Sequence, residues 1–352
     1  MIVEQFVPAL HYGDAIGNST FAFHRFLEKR GIESRIVSLT IDESLRGQAV
    51  LFRDYSPRAD SLKILHFAVP SPLTDFFIET GGKKVLIYHN ITPSRFFADF
   101  SDDLVRITAA GREELKRLGN SFDLSIADSE FNAGELRELN FGRVVPFPIM
   151  IDLKGYEAEY SRPFSDLFRD ERKNILFVGR VTPNKKIEDL VKILFFYKKY
   201  ISPSIRLIVA GNSGTLPKYF LAVRDLASRF HLTSDDIVFA GHLPFDELLA
   251  LYRLADLFVS MSEHEGFCLP LIESCLFAVP VLAYAAGAVP ETLDGAGVLV
   301  TEKRIGDIAG LAERMMNDEK MRKKLKKLEA ERIKRYKRES NPKLLLDLLK
   351  NL

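Results

Sequence analysis

Three observations predict an α/β protein built of two doubly wound, Rossmann-like domains facing each other across a cleft. The 352 residues exceed the size at which one hydrophobic core usually keeps growing, so two domains of roughly 150 to 200 residues are expected. Apolar runs of strand length alternate with stretches of helical period almost throughout, the pattern of repeated βα units and a parallel sheet. The alternation lapses once, through the polar, aromatic-dotted stretch LKGYEAEYSRPFSDLFRDERK after Ile151, and then restarts.

In the first half, IVEQFVPAL (2–10), SRIVSLT (34–40), KILHFAV (63–69), KVLIYHN (84–90), DLSIADS (123–129) and VVPFPI (144–149) read as strands. Ser19 to Arg30, Asp102 to Leu118 and Glu130 to Leu139 carry amphipathic helical patterns. The second half reads as strands NILFVG (174–179), IRLIVAG (205–211), DIVFAG (236–241), DLFVSM (256–261), PVLAY (280–284) and GVLV (297–300), with helices between them. The predicted boundaries are residues 1–150 for the first domain and 151–330 for the second. A terminal helical segment, 331–352, is expected to cross back and cover the first. Parallel sheets of this kind bind ligands at the carboxyl ends of their strands, so the active site is expected there, in the cleft.

Apolar residues make up 47% of the chain, enough for substantial cores, and 49 basic against 48 acidic residues give a formal net charge of +1. That balance supplies no electrostatic reason to expect a nucleic-acid partner. The start, MIVEQFVPALHYGD, lacks the features of a secretion signal, and no stretch reaches the roughly 18 apolar residues of a membrane span, so a soluble cytosolic protein is expected. The two cysteines, Cys268 and Cys275, form neither a disulfide framework nor the paired spacing of a zinc site and read as packing residues. The basic stretch 319–340 reads as a solvated helix, with peripheral contact to an anionic membrane as the alternative.

The segment from Ser262 to Tyr284, SEHEGFCLPLIESCLFAVPVLAY, is the most informative. It follows a strand, turns at Glu265-Gly266-Phe267 and enters a helix near Leu269, with Pro270 in the first turn. Strand, glycine turn and helix N-terminus together make an anion site, because unpaired N–H groups and the helix dipole point outward. Glu265 in the turn and Glu273 in the helix suit sugar recognition, since a carboxylate accepts two short hydrogen bonds from vicinal hydroxyls. On spacing alone, two solvated surface charges explain them equally well. A second element, Gly179-Arg180-Val181-Thr182-Pro183-Asn184-Lys185-Lys186, places a guanidinium and an ammonium between a strand end and a helix, where they could hold a diphosphate or simply form a basic loop.

EGFCLPLIES resembles the E-G-F-G-L-P-x-x-E-A signature of the family-4 retaining glycosyltransferases, which have the GT-B fold, and GRVTPNKK resembles that family's G-R-L-x-x-x-K-G element. The resemblance implies that Glu265 contacts the donor sugar's hydroxyls, that Gly266, Phe267, Cys268 and Leu269 face sugar and phosphate, and that Glu273 binds the ribose hydroxyls. It makes Arg180 and Lys185, beside Gly179, the diphosphate clamp, and places His242 and Leu243 of the FAGHL turn near the base. Three positions depart from the pattern: Cys268, Lys186 and Ala278 stand where the family has glycine.

In the first half, the resemblance implies that GDAIGN, with Gly13, Asp14 and Gly17, is the loop approaching donor phosphate and acceptor, and that His89 is a catalytic residue near the reacting sugar. Asp128 is a weaker candidate for acceptor contact, Ser129 a helix N-cap, and His66 structural. The implied reaction moves a sugar, a hexose such as mannose or glucose, from a nucleotide diphosphate sugar to an acceptor hydroxyl on a glycan, lipid-linked sugar or small molecule. Configuration is retained, and neither cofactor nor obligatory metal is required; the chain has no Asp-x-Asp motif, and cationic side chains would supply the charge of a metal. The rival readings are a sugar-nucleotide epimerase, a phosphorylase of the same fold, and a non-catalytic sugar-nucleotide binder.

Overall fold

The computed structural model describes all 352 residues, which divide into two compact units. Unit 1 comprises Met1–Arg95, Asp102–Gly155 and Tyr336–Leu352; unit 2 comprises Phe96–Ser101 and Tyr156–Arg335. No helix is long and apolar enough to cross a membrane.

Unit 1 runs β1 (Ile2–Leu10), α1 (Ala15–Glu28), β2 (Glu33–Ile41), β3 (Val50–Leu51), β4 (Ser61–Phe67), α2 (Leu73–Glu79), β5 (Lys84–Tyr88), α3 (Asp102–Leu118), β6 (Leu124–Ala127), α4 (Glu130–Glu138) and β7 (Val144–Pro146). Its seven strands are all parallel, in the order β3-β2-β1-β4-β5-β6-β7. Both sheet faces are covered. Phe6, Leu65, Phe67, Leu86 and Tyr88 pack on one side with Phe77, Leu115 and Leu136. Ile64, Val85, Ile87 and Ile126 pack on the other with Phe23. All seven residues of β4 are therefore buried, as expected of a central strand in a parallel sheet.

Unit 2 runs α5 (Arg162–Asp166), β8 (Lys173–Val178), α6 (Ile187–Tyr200), β9 (Ile205–Ala210), α7 (Pro217–Arg229), β10 (Ile237–Gly241), α8 (Phe245–Leu254), β11 (Leu257–Ser260), α9 (Leu269–Leu276), β12 (Val281–Tyr284), α10 (Val289–Leu293), β13 (Val298–Val300), α11 (Ile305–Asn317) and most of α12 (Glu319–Glu339). Its parallel sheet has the order β10-β9-β8-β11-β12-β13. The last helix, α13 (Pro342–Lys350), belongs to unit 1, where Leu345, Leu346 and Leu349 join the cluster that includes Phe23.

Predicted strands and helices occur at the positions read from the sequence, with ends shifted by up to a few residues. The strand expected over 84–90 ends at Tyr88, and α1 begins at Ala15 rather than Ser19 because Asp14 caps it. The helix α2 escaped detection because its seven residues, entered through Pro70 and Pro72, are too few to show a period. Adjacent strands β8 and β9 lead into Gly179 and Gly211, whose φ angles of 152° and 142° suit glycine alone. A Cβ on Gly211 would lie 2.0 Å from the Gly179 carbonyl oxygen, so this close approach excludes any side chain.

Glu329, on α12, is fully buried, and neither of its carboxylate oxygens has a hydrogen-bond partner. Burial pushes its carboxyl from the usual 4.5 up to about 8. The folded state thus holds a proton that the unfolded chain releases above its lower pKa. Stability from this site is greatest at acid pH and falls as pH rises through the interval between the two values. Glu329→Gln, which stays neutral, is expected to remove that slope and to unfold less readily than the parent at pH values above about 8, by on the order of a few kcal/mol. Denaturant melts of both proteins on either side of the interval measure it; parallel pH dependences would refute it.

Candidate active site

Ligands of a doubly wound sheet sit beyond the carboxyl ends of the two strands at which the strand order reverses. In unit 2 these are β8 and β11, paired through Leu257 with Ile175 and Phe258 with Leu176. The segment leaving β8 carries Arg180 and Lys185, and the segment leaving β11 carries Glu265. Asn184 joins them. Its backbone oxygen accepts from the Glu263 N–H at 2.8 Å, its side-chain amide donates to the His264 carbonyl at 3.2 Å, and its Oδ1 accepts from the Thr182 hydroxyl at 2.9 Å. Lys303 adds a brace, donating to Glu263 at 2.8 Å and to Asp189 at 2.9 Å.

Across this junction the Lys185 ammonium straddles the Glu265 carboxylate, with Nζ 2.6 Å from one oxygen and 2.7 Å from the other. Both side chains are largely buried, at 18% and 7% exposure. Two of the predicted site residues are thus in direct contact, while Arg180 is exposed. The Glu265 backbone is held from a third direction: its carbonyl accepts from the Ala288 N–H at 3.0 Å, and a Cβ on Gly287 would lie 2.5 Å from that oxygen. Beside it, burial and then the Glu265 charge push the Cys268 thiol well above its usual range, which keeps it protonated. Gly266 is half-buried, and Phe267 and Leu269 are buried. Phe267 is tied by its carbonyl, which accepts from the Thr292 hydroxyl.

The three residues at which the sequence departs from the expected glycine pattern share one property. Cys268, Lys186 and Ala278 have φ angles of 68°, 53° and 53°, all in the left-handed region. Cys268 and Lys186 are the residues from which α9 and α6 start. Ala278 follows the C-cap of α9, where the Val279 N–H reaches back to the Ser274 carbonyl at 3.0 Å. Glycine suits such positions for steric reasons, and a side chain there costs about 1–2 kcal/mol. Ala278→Gly is accordingly expected to raise stability by roughly 0.5–1 kcal/mol after the added flexibility of the unfolded chain is deducted. A thermal melt tests this, and a lowered melting temperature would contradict it.

Glu273 has different surroundings. Its two carboxylate oxygens each accept one hydrogen bond at 2.5 Å, Oε1 from the Tyr156 hydroxyl and Oε2 from the Tyr252 hydroxyl. Tyr252 stacks on Phe277 with centroids 5.3 Å apart, and Tyr156 meets Phe245 edge-on at 5.1 Å. Burial raises the Glu273 carboxyl above its ordinary value, opposed by the two phenols. Neither tyrosine was identified from the sequence, because Tyr156 lies in the stretch without periodicity and Tyr252 reads as an apolar helix position. Tyr252→Phe is expected to lower stability by about 1–3 kcal/mol, because it leaves a buried carboxylate oxygen without its donor. A double-mutant cycle with Glu273→Gln should show a coupling above about 0.5 kcal/mol; additive effects would deny the contact.

Of the other predicted residues, Gly179 lies at the end of β8, and exposed His242 and half-buried Leu243 follow β10. In unit 1 the strand order reverses between β1 and β4, and Gly13, Asp14 and Gly17 follow β1. Asp14 is the N-cap of α1: its carboxylate accepts from the N–H groups of Ile16 at 3.1 Å and Gly17 at 3.2 Å, donors that an anion at this helix end would otherwise use. Ser129 caps α4 as expected. His89 directly follows β5, with its ring turned inward: Nδ1 lies 2.7 Å from Asp128 and Nε2 lies 2.9 Å from His66. The sequence reading placed His66 outside the site; the structure brings it into contact with His89.

Residues 161–332 match the family described as Glycosyl transferases group 1. Among curated relatives, the serotype-specific mannosyltransferase WbdA of Escherichia coli is 27% identical over 171 residues, 49% of this chain and 21% of that protein. The chain therefore spans about a fifth of that relative's length. Among solved structures, WaaG, a glycosyltransferase involved in lipopolysaccharide biosynthesis, aligns over 99% of both chains with a TM-score of 0.74 and 14% identity. Anabaena HepE in complex with UDP-glucose aligns over 100% of both, also at TM-score 0.74 and 14% identity. These likenesses show the fold, two parallel-sheet α/β domains of the GT-B type.

Proposed function

We propose that the protein is a retaining glycosyltransferase whose unit 2 grips a nucleoside diphosphate hexose and delivers the sugar to an acceptor hydroxyl. The observation that carries this reading is the Lys185–Glu265 contact at the β8/β11 reversal, with Arg180 exposed on the same loop as Lys185. A carboxylate able to take sugar hydroxyls stands directly beside cations able to take a diphosphate. The family match over residues 161–332 and the UDP-glucose bound by HepE support the same assignment.

In this reading the donor's diphosphate draws Lys185 from Glu265 and adds Arg180, so the charge developing on the leaving nucleotide is met by two cations. Glu265, released from Lys185, accepts hydrogen bonds from vicinal sugar hydroxyls. Glu273 accepts from the ribose hydroxyls through the lone pairs that its two tyrosines leave vacant. No side chain is assigned as general base: the departing phosphate oxygen takes the acceptor's proton, and the protein contributes positioning and electrostatics. A glycan, a lipid-linked sugar or a small molecule supplies the acceptor hydroxyl.

A binding screen of uridine, guanosine and adenosine diphosphate sugars by ligand-detected NMR should give saturation with one donor. With that donor, Glu265→Ala is expected to lower transfer by more than about a hundredfold while nucleoside diphosphate binding stays within a few-fold of the parent. Arg180→Ala is expected to weaken nucleoside diphosphate binding itself. Parental turnover by the Glu265→Ala protein would remove Glu265 from the mechanism, and binding of no donor would remove the reading altogether.

A further inference from the structure

A line of buried polar side chains crosses unit 1 from β1 to β6. The Gln5 amide nitrogen donates to the Thr20 carbonyl at 3.2 Å. Its oxygen lies 3.2 Å from His66 Nε2, His66 Nδ1 lies 2.9 Å from His89 Nε2, and His89 Nδ1 lies 2.7 Å from an Asp128 oxygen. Gln5, Thr20, His66 and Asp128 are at most 3% exposed, and the His89 side chain is 2% exposed. The two imidazoles lie within 4° of parallel with centroids 5.2 Å apart, so they meet edge to edge in nearly one plane.

The hydrogens along this line can be assigned by elimination. A backbone carbonyl only accepts, so the Gln5 nitrogen faces Thr20 and the Gln5 oxygen faces His66. The Thr20 hydroxyl donates to the Ile16 carbonyl at 2.8 Å and presents its lone pairs to His66 Nε2 at 3.5 Å. His66 Nε2 therefore faces two acceptors and carries a hydrogen. Burial holds the His66 pKa well below its usual value, so the ring is neutral and Nδ1 is bare. His89 Nε2 must then donate to it. One further proton lies between His89 Nδ1 and Asp128, on either partner, and the titratable group that faces this pair is His66, on His89 Nε2.

We propose that Gln5 and Thr20, acting through His66, hold the His89–Asp128 pair in a state carrying one more proton than a neutral imidazole beside a carboxylate, and that His66 is thereby a positioning residue for the His89 loop. With both ring nitrogens bonded inward, His89 is neither a free base nor a donor to a bound sugar. It works instead as an anchor that fixes the backbone leaving β5 and cancels the buried charge of Asp128. Gln5 and His66 thereby position the His89 loop although both are buried.

The proposal's proton assignment does not depend on the transferase reading and is tested first without any donor, by long-range proton–nitrogen correlation on the full chain labelled at its histidines. The expected spectrum shows His66 as the Nε2–H tautomer and His89 with a hydrogen on Nε2. A His89 with a bare Nε2 would overturn the proposal. Comparison of His66→Leu with His66→Asn then tests positioning, because the asparagine oxygen can stand where Nδ1 accepted. His66→Leu is expected to introduce an ionisation that lowers kcat/KM about tenfold between mildly acid and mildly alkaline pH, and His66→Asn to restore the parental profile. If His66→Leu fails to fold, Gln5→Leu replaces it, with release of the His66 tautomer as the readout. Parental pH profiles and spectra in these variants would overturn the positioning role.

Discussion

The reversal of strand order between β8 and β11 is the constraint from which the candidate site follows. Pairing these two strands sets side by side two loops that are 80 positions apart in the chain, and the Lys185–Glu265 contact spans them. Asn184 makes the adjacency rigid by bonding to the backbone of the opposite loop on both sides of it. Once that seam is closed, the positions of Arg180, Glu265 and the start of α9 are no longer independent. A buried amide with every polar group engaged is costly to displace, which explains how two irregular segments keep one geometry.

The two glutamates of the EGFCLPLIES segment differ in how their charge is tolerated. Glu265 is compensated by an ammonium, a point charge on a flexible stem that bridges both carboxylate oxygens. Glu273 is compensated by two phenols packed against Phe277 and Phe245, a fixed arrangement that orients the carboxylate and leaves its remaining lone pairs in known directions. One carboxylate thus has a mobile cationic partner and the other a fixed pair of phenols.

Much of the architecture was legible because the period of apolar residues survives wherever an element is long and buried. Helix α3 was read to the residue, and the central strands fell where their apolar runs fell. Helix α2 was missed for want of length, and the tyrosines around Glu273 were missed because nothing local distinguishes an aromatic ring that packs from one whose hydroxyl also serves a carboxylate. The left-handed conformations at Cys268, Lys186 and Ala278 were masked for a related reason: the glycines that usually announce such turns are absent, and only the backbone shows that the turns remain.

What the sequence alone determined was the class of fold, the order of its elements and the identity of the charged residues at the strand ends, because periodicity and turn chemistry are local properties of the chain. What only the tertiary structure decided was which of those residues meet. The bidentate hold of Lys185 on Glu265, the tyrosine pair on Glu273 and the inward face of His89 each join segments distant in sequence. Their partners are selected by sheet order and by the requirement that every buried polar atom find a complement, and no spacing along the chain encodes that selection.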